Sequence, residues 1–211
     1  MPEWKVRVVH NGINNEYFYP AQNGLRPENS IIVTNSADIP LKGLSYLLKA
    51  VSEVRKKQPV KLTVIGEPKK NGIITKLVAR LGIGDIVQFT GRIKNEEFAG
   101  YYSAATIAVV PSLYEGFGIP AVEAMASGVP LITTSGGALP EVVGDAAMIV
   151  PPADVAALTK AITYLFNNPE QRKKLVQVGL ARVNAVFSWP KAAQEVVDIY
   201  REAIDGHRRF S

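Results

Sequence analysis

The chain has 211 residues, of which 47% are hydrophobic and 20% charged, and its net charge is +5. This composition is that of an ordinary globular protein, and the length allows one large domain. No apolar run approaches the roughly 18 residues of a membrane helix. Cysteine is absent and histidine occurs only twice, which excludes disulfides, thiol catalysis and metal sites built from several cysteines or histidines.

Apolar, β-rich runs alternate with helical patterns as far as residue 150. Strands are predicted at residues 6–9, 31–34, 61–65, 86–90, 107–110, 131–134 and 147–150, with helices near 43–57, 73–81, 95–104 and 120–126. Several strands are continuous apolar runs, which is typical of strands covered on both faces. This order predicts a Rossmann-like three-layer α/β domain with a parallel sheet of about six strands.

The remainder of the chain is predicted to be helical. Asp154 should cap a helix that ends near Phe166, where Asn167-Asn-Pro169 should break it. A second helix should run to about Phe187, and Pro190 should begin a last helix. The last of these, over residues 190–204, carries an apolar face. There is no repeat and no long linker, so residues 1–211 are interpreted as one domain.

Basic residues are scattered in short clusters over the chain, as at 55–57, 69–70, 172–174 and 208–209. They indicate either solvated helix faces or attraction to an anionic ligand or a membrane surface. No aromatic residues alternate with them, so nucleic acid is not an expected partner. The first residues, Met-Pro-Glu-Trp-Lys, do not resemble a secretory signal. We therefore expect a cytoplasmic protein, with peripheral membrane contact as an alternative.

The segment Glu115-Gly-Phe-Gly-Ile-Pro-Ala-Val-Glu123 places two carboxylates around a glycine-rich turn. Pro120 suits the first position of a helix, and glycines allow the backbone to approach a bound group closely. The free N–H groups of a helix start attract phosphate. Carboxylates accept hydrogen bonds from hydroxyl pairs. A phosphate flanked by hydroxyls describes a nucleotide-sugar.

This segment resembles the Glu-x7-Glu motif of retaining glycosyltransferases with the GT-B fold, family 4 in particular. Other segments resemble the same family in the same order, and together they cover nearly the whole chain: Val9-His-Asn-Gly-Ile13, Phe18-Tyr-Pro20, Pro40-Leu-Lys-Gly-Leu44, Val64-Ile-Gly66, Phe89-Thr-Gly-Arg-Ile93, Ala124-Met-Ala-Ser-Gly-Val-Pro130 and Gly136-Gly-Ala-Leu-Pro-Glu141. The resemblance implies the nucleotide-sugar-binding domain of such an enzyme. In parallel α/β sheets, ligands bind beyond the carboxyl ends of the strands, where these loops are predicted.

The resemblance also implies roles for individual residues. Lys42 is expected to contact the diphosphate, Glu115 to lie near the transferred sugar, and Glu123 to bind the ribose hydroxyls. The alternatives are an exposed helix-start lysine, an acidic residue placed for helix-start electrostatics, and a helix-surface glutamate. The remaining residues expected to line the donor site are Arg92, Ile93, Gly116, Phe117, Gly118 and Ile119.

Four positions are more ambiguous. Members of the family usually carry an arginine where this chain has Ser36 or Ala37, and Arg92 is a candidate substitute or a solvated loop residue. Phe117 is expected mainly to pack under its loop. The Gly136-Gly137 turn either shapes the pocket or only connects a strand to a helix. His10 has no obvious acid partner and is not interpreted as catalytic.

The resemblance implies transfer of a sugar from a nucleotide-diphosphate donor to an acceptor hydroxyl, with retained configuration and without a metal. A GT-B enzyme has two such domains, and the acceptor-binding domain would precede Met1. The alternative is a stand-alone nucleotide-sugar binding or regulatory module. An NAD-dependent enzyme is disfavoured because no Gly-x-Gly-x-x-Gly follows the first strand. A glycosidase is disfavoured because a phosphate-binding turn between two carboxylates serves no purpose there. With its partner domain absent, the last helix should leave apolar surface exposed. We expect either self-association at high concentration or raised mobility beyond about Glu202.

Overall fold

A computed structural model describes residues 6–20, 28–34 and 39–208 of the chain. Its centre is a six-stranded parallel sheet with the strand order β3-β2-β1-β4-β5-β6. The strands are β1 (Ser30–Thr34), β2 (Lys61–Ile65), β3 (Val87–Phe89), β4 (Ile107–Val110), β5 (Leu131–Thr134) and β6 (Ala147–Val150). The predicted fold class is therefore confirmed.

Eight α-helices are present within the described part of the chain. They are α1 (Leu44–Arg55), α2 (Ile73–Leu81), α3 (Phe98–Ser103), α4 (Ile119–Ala126), α5 (Leu139–Val143), α6 (Val155–Asn167), α7 (Pro169–Val186) and α8 (Trp189–Arg208). Short 3-10 turns precede α1 and α3 and follow α5. Asp154 caps α6 as predicted, since its Oδ1 accepts a hydrogen bond from the Ala157 N–H at 2.9 Å.

The sheet is covered on both faces because successive side chains of a strand point to opposite sides. In β1, Ile31 and Val33 belong to one apolar cluster, with residues of α1, α2 and α6. Ile32, between them, belongs to a second cluster, with residues of α4, α5 and the end of α7. Both clusters consist of buried, mainly aliphatic side chains, so the fold is the three-layer arrangement that the continuous apolar strands predicted.

The order of the strands reverses between β1 and β4, which are neighbours in the sheet although two strands separate them in the chain. Crossovers to one side build β2 and β3, and crossovers to the other side build β5 and β6. At such a switch point the loops after the two central strands diverge and leave a crevice at the carboxyl edge of the sheet. The loops that contain Lys42 and Glu115 are these two loops.

The prediction of a strand at residues 6–9 is wrong. No strand forms in this segment, and Val6 and Val8 are exposed. The segment instead runs beside α8: Arg7 forms an ion pair with Glu202 at 3.4 Å, and a Cβ on Gly12 would collide with Trp189. The Ile13 N–H donates to the Phe187 carbonyl at 3.0 Å, which anchors the segment to the end of α7.

Helix α8 exposes its apolar face, as predicted. Trp189 is 55% exposed and Tyr200 is 65% exposed, and Val196, Val197 and Ile204 are exposed as well. Self-association through this face stays a prediction. Within the described residues, no helix is both long and apolar enough to cross a bilayer.

Candidate functional site

The loop after β1 and the loop after β4 are locked against each other. Gly43, the first residue of the turn into α1, has φ +69°, and a Cβ there would lie 1.9 Å from the Pro111 carbonyl oxygen. Only glycine satisfies both conditions. The Leu113 N–H donates to the Leu41 carbonyl at 2.7 Å. Lys42, between these contacts, is therefore held beside the loop that carries the Glu-x7-Glu motif.

Lys42 and Glu115 form an ion pair. The Lys42 Nζ lies 2.7 Å from the Glu115 Oε1, and the Ser112 hydroxyl donates to the same oxygen at 2.7 Å. Glu115 is buried, with 8% of its surface exposed, whereas the Lys42 side chain is 29% exposed. The carboxylate is thus compensated by a cation and a hydroxyl, as a buried charge must be. A phosphate that approaches the exposed ammonium would compete with Glu115 for it.

The Gly136-Gly137 turn after β5 supports the backbone of the same loop. Gly137 forms an isolated bridge with Glu115, and the Ala138 N–H donates to the Glu115 carbonyl at 2.9 Å. A Cβ on Gly137 would lie 2.2 Å from that carbonyl oxygen, and one on Gly136 would lie 2.4 Å from the Leu113 oxygen. The two glycines therefore permit an approach that no larger residue allows, and the turn shapes the loop rather than only connecting two elements.

Helix α4 begins at the crevice. Gly118 is its N-cap residue with φ +98°, and Pro120 is the second helical residue, one position later than predicted. The N–H groups of Gly118 and Ile119 donate no hydrogen bond to another described residue. Free N–H groups at the positive end of a helix are suited to an anion such as phosphate.

Glu123 lies one turn inside α4 and is half-buried, and it forms no ion pair with another described residue. Its Oε2 accepts a hydrogen bond from the Tyr102 hydroxyl at 3.3 Å. Burial raises the pKa of Glu123 to about 7, and the Tyr102 hydrogen bond opposes that rise only in part. A helix-surface glutamate would be solvated, so the structure disfavours that interpretation.

Phe117 packs under its loop, in agreement with its expected main role. Its ring lies 5.8 Å from the ring of Phe187 and 6.2 Å from the ring of His10, measured between centroids. His10 also contacts Phe187 edge-on at 5.7 Å. His10 therefore belongs to an aromatic cluster that joins the segment before β1 to the Glu-x7-Glu loop, and no acidic partner among the described residues would make it a catalytic base.

Arg92 and Ile93 lie on the other side of the crevice, after β3. Gly91 pairs with Gly66 across the loops after β3 and β2, with its N–H donating to the Gly66 carbonyl at 3.2 Å. Ile93 packs on the apolar cluster beneath α4, and Arg92 is exposed. No contact joins Arg92 to Lys42 or Glu115 within the described residues. Gly116 is also exposed, and the predicted positions 36 and 37 lie outside the described residues.

Sequence reasoning missed the polar residues behind the two carboxylates. Tyr102 and Thr34 form a hydroxyl chain to Glu123, and the Thr134 hydroxyl donates to the Ser112 carbonyl, which steadies the loop from β5. Little in the sequence indicated these contacts. Tyr102 is only the second of two tyrosines in an amphipathic helix, and Thr34 and Thr134 are threonines at the carboxyl ends of strands. Among the described residues, no three His, Cys, Asp or Glu side chains come together.

Comparison with known proteins identifies the family. The sequence profile of the family described as Glycosyl transferases group 1 matches residues 16–181. The chain belongs to this family. It is 43% identical over 203 residues to the MMP alpha-(1->4)-mannosyltransferase of Mycolicibacterium hassiacum, an alignment that covers 95% of this chain and 49% of that protein.

Other relatives agree with that assignment. The D-inositol 3-phosphate glycosyltransferase of Streptomyces bingchenggensis is 35% identical, over 97% of this group 1 chain and 49% of its own length. Among solved structures, the sucrose-phosphate synthase of Thermosynechococcus elongatus has a TM-score of 0.83 and 32% identity, over 95% of this chain and 53% of that chain. The C-terminal domain of a glycosyl transferase group 1 family protein (LpcC) from Francisella tularensis has a TM-score of 0.74 and 29% identity, over 84% of this chain and 100% of that chain. The chain thus spans about half the length of the curated relatives it matches.

Proposed function

We propose that this chain is the donor-binding domain of a retaining glycosyltransferase of family 4 and that it binds a nucleotide-diphosphate sugar. With an N-terminal acceptor-binding domain that lies outside this chain, it transfers the sugar to an acceptor hydroxyl with retention of configuration. The protein acts in the cytoplasm, and any contact with a membrane is peripheral and made by the larger protein.

One observation carries the proposal: a cation, free helix N–H groups and a carboxylate converge at the switch point of the sheet. Lys42 and the N–H groups of Gly118 and Ile119 are suited to the diphosphate. Glu123, one turn further along α4, is suited to the ribose hydroxyls. Glu115 lies at the entrance of the same turn, where the transferred sugar would follow the diphosphate.

The chemistry expected of these residues is positioning and stabilisation of charge. Negative charge develops on the departing diphosphate, and fixed donors aimed at that charge lower the barrier. Lys42 and the start of α4 are such donors. The reaction proposed here needs no metal ion, because the donor's own leaving phosphate is expected to help deprotonate the acceptor.

The extent of the chain supports the two-domain proposal. The matching proteins of Mycolicibacterium hassiacum and Streptomyces bingchenggensis are about twice as long as this chain, since it covers 49% of each. It matches the whole of a solved C-terminal domain from a group 1 protein. The alternative is a stand-alone module that binds nucleotide-sugar without catalysis. The exposed apolar face of α8 favours the two-domain proposal, because a second domain would cover it.

Calorimetric titration of the purified chain with UDP, GDP, ADP and their sugars tests donor binding. At least one nucleotide should bind, and Lys42→Ala should weaken that binding. Lys57→Ala, at an exposed lysine in the turn after α1, should not. Glu123→Ala should cost about 1–3 kcal/mol of binding free energy, the range for hydrogen bonds to a charged group. Failure of all three diphosphates to bind at millimolar concentration would sink the proposal.

Transfer and its stereochemistry are tested on the full-length protein. Proton NMR of the product should show the anomeric configuration of the donor sugar. Inversion of configuration would contradict the retaining mechanism. Nucleotide-sugar binding without transfer by the full-length protein would instead support the stand-alone module.

A further inference from the structure

A chain of hydroxyl groups lies behind Glu123. The Thr34 hydroxyl, at the carboxyl end of β1, lies 3.1 Å from the Tyr102 hydroxyl of α3. The Tyr102 hydroxyl lies 3.3 Å from the Glu123 Oε2 of α4. Tyr102 is 2% exposed. The carboxyl end of β1 and the helices α3 and α4 therefore meet at a single carboxylate of the proposed donor site.

The direction of these hydrogen bonds follows from the chemistry of the tyrosine. Burial raises the pKa of Tyr102 well above its usual range, and the nearby charge of Glu123 raises it further. The phenol is therefore protonated at every physiological pH, and its single proton points to Glu123. Thr34 then donates to the phenol oxygen. Two hydroxyls aligned in this way polarise one another and strengthen the bond to the carboxylate.

Glu123 has no second hydrogen-bond partner among the described residues. Tyr102 binds Oε2, and no side chain or backbone N–H binds Oε1. At 3.3 Å the Tyr102 bond is longer than the usual O–H···O distance. Such bonds often tighten when a ligand fixes the group they hold.

We propose that Tyr102 is a positioning residue for nucleotide recognition: its hydroxyl fixes one oxygen of Glu123 and leaves the other to accept the ribose hydroxyls. This inference rests on the proposed function, because it assumes that Glu123 binds ribose. Thr34 orients the phenol proton and acts one step further from the ligand.

A purely structural role for the hydroxyl would give different results. The Tyr102 ring belongs to the apolar cluster beneath α4, and its centroid lies 6.0 Å from the centroid of the Phe18 ring. The variant Tyr102→Phe keeps that packing. A structural hydroxyl would change the free energy of unfolding alone. A positioning hydroxyl changes the preference for ribose over deoxyribose and the pH at which that preference appears.

The experiment is calorimetric titration with UDP, GDP and ADP and with their 2′-deoxy forms, between pH 6 and pH 8.5. For Tyr102→Phe we expect affinity for the ribonucleotides to fall about three- to tenfold, as for loss of one hydrogen bond. The 2′-deoxy forms should lose less, because one hydroxyl that Glu123 would bind is already gone. Tyr101→Phe, at the neighbouring tyrosine of α3, is the matched control and should leave both affinities unchanged.

The pH profile gives the second readout. Tyr102 is the one described titratable group that acts on the pKa of Glu123, and its hydrogen bond lowers that pKa. Its removal should move the onset of ribose preference to higher pH. The ratio of ribonucleotide to deoxynucleotide affinity cancels protonation of the diphosphate, which both ligands share.

The outcomes are distinguishable. If the wild-type chain prefers ribonucleotides and Tyr102→Phe leaves the preference and its pH profile unchanged, the inference is overturned and the proposed function stands. If the wild-type chain binds no diphosphate, the proposed function fails, and the inference fails with it. If the wild-type chain binds diphosphates without preferring ribose, the assignment of Glu123 to the ribose fails together with the inference, and donor binding stands. If Tyr102→Phe does not fold, Thr34→Val takes its place. It should shift the pH profile in the same direction by a smaller amount, and an unchanged profile would overturn the inference.

Discussion

Substituting Glu123 by glutamine should stabilise the protein at alkaline pH. Burial raises the pKa of Glu123 from 4.5 to about 7, so the folded state holds this proton more tightly than the unfolded state. The stabilisation that the proton provides is complete below pH 4.5 and is lost as the pH rises through about 7. The full difference corresponds to about 3 kcal/mol. Because Glu123 is half-buried rather than fully enclosed, we expect about 1–3 kcal/mol.

The assay is urea unfolding of the wild type and Glu123→Gln at pH 5 and pH 8.5. Glutamine keeps the shape of the side chain and an oxygen that accepts the Tyr102 hydrogen bond, but it never ionises. At pH 5 the two proteins should have similar free energies of unfolding. At pH 8.5 the variant should be more stable by the 1–3 kcal/mol worked out above. Glu96→Gln, at an exposed residue of the turn before α3, is the control and should follow the wild type at both pH values.

Parallel pH dependences for the wild type and Glu123→Gln would refute this reasoning. They would mean that Glu123 ionises in the folded protein as easily as in water, and that its partly buried position costs nothing. The same variant should bind nucleotides more weakly than the wild type at pH 8.5, since an amide accepts fewer hydrogen bonds than a carboxylate. We therefore expect Glu123→Gln, at pH 8.5, to be more stable than the wild type and to bind nucleotides more weakly.

The remaining predictions concern the loops and α8. Gly43→Ala should destabilise the fold by about 3 kcal/mol or more, because it adds a clash with Pro111 to the cost of a left-handed residue. Gly82 is also left-handed, at φ +63°, but has open space around it. Gly82→Ala should therefore cost only about 1 kcal/mol in the same urea assay. Lys42→Met should cost about 1–2 kcal/mol by leaving Glu115 buried without its cation, less than for a fully buried pair because the Lys42 side chain is 29% exposed. Adding Glu115→Gln should restore stability but not nucleotide affinity. Restored affinity would contradict the role of Lys42. Tyr200→Ser with Val196→Ser should reduce concentration-dependent association in sedimentation experiments, and a wild type that is monomeric at all concentrations would exclude association through α8.

The sheet was predictable because its strands are short apolar runs whose order in the chain permits few arrangements. The segment 6–9 was mispredicted because its apolar pattern describes only the segment itself. A strand also needs the edge of a sheet with which to pair. The edges of this sheet are β3 and β6, while the segment is drawn to α7 and α8 by the Ile13 hydrogen bond to Phe187. Nothing in residues 6–9 alone distinguishes a β-strand from an extended segment that follows a helix.

The convergence of Lys42 and Glu115 could be predicted because the carboxyl ends of parallel strands share one edge of the sheet. The partners of the carboxylates could not. Tyr102 reaches Glu123 only because α3 and α4 cover the same face of the sheet, and Ser112 reaches Glu115 only because Gly136 and Gly137 allow a tight loop. The roles of Arg92 and Ile93 stay predictions, since neither contacts Lys42 or Glu115 within the described residues.

The two carboxylates of the motif are in opposite electrostatic situations, and this difference bears on what Glu123 does. Glu115 has a cation and a hydroxyl at 2.7 Å each, so its burial is compensated within the loop. Glu123 has one hydroxyl at 3.3 Å and forms no ion pair with another described residue, and its pKa is raised accordingly. If Glu123 were only a helix-surface residue, its burial would bring no benefit. A carboxylate held in a crevice at a cost to stability is expected where it binds a ligand. The hydroxyl groups of neutral ribose can donate hydrogen bonds to Glu123, so no cation is needed to satisfy this carboxylate.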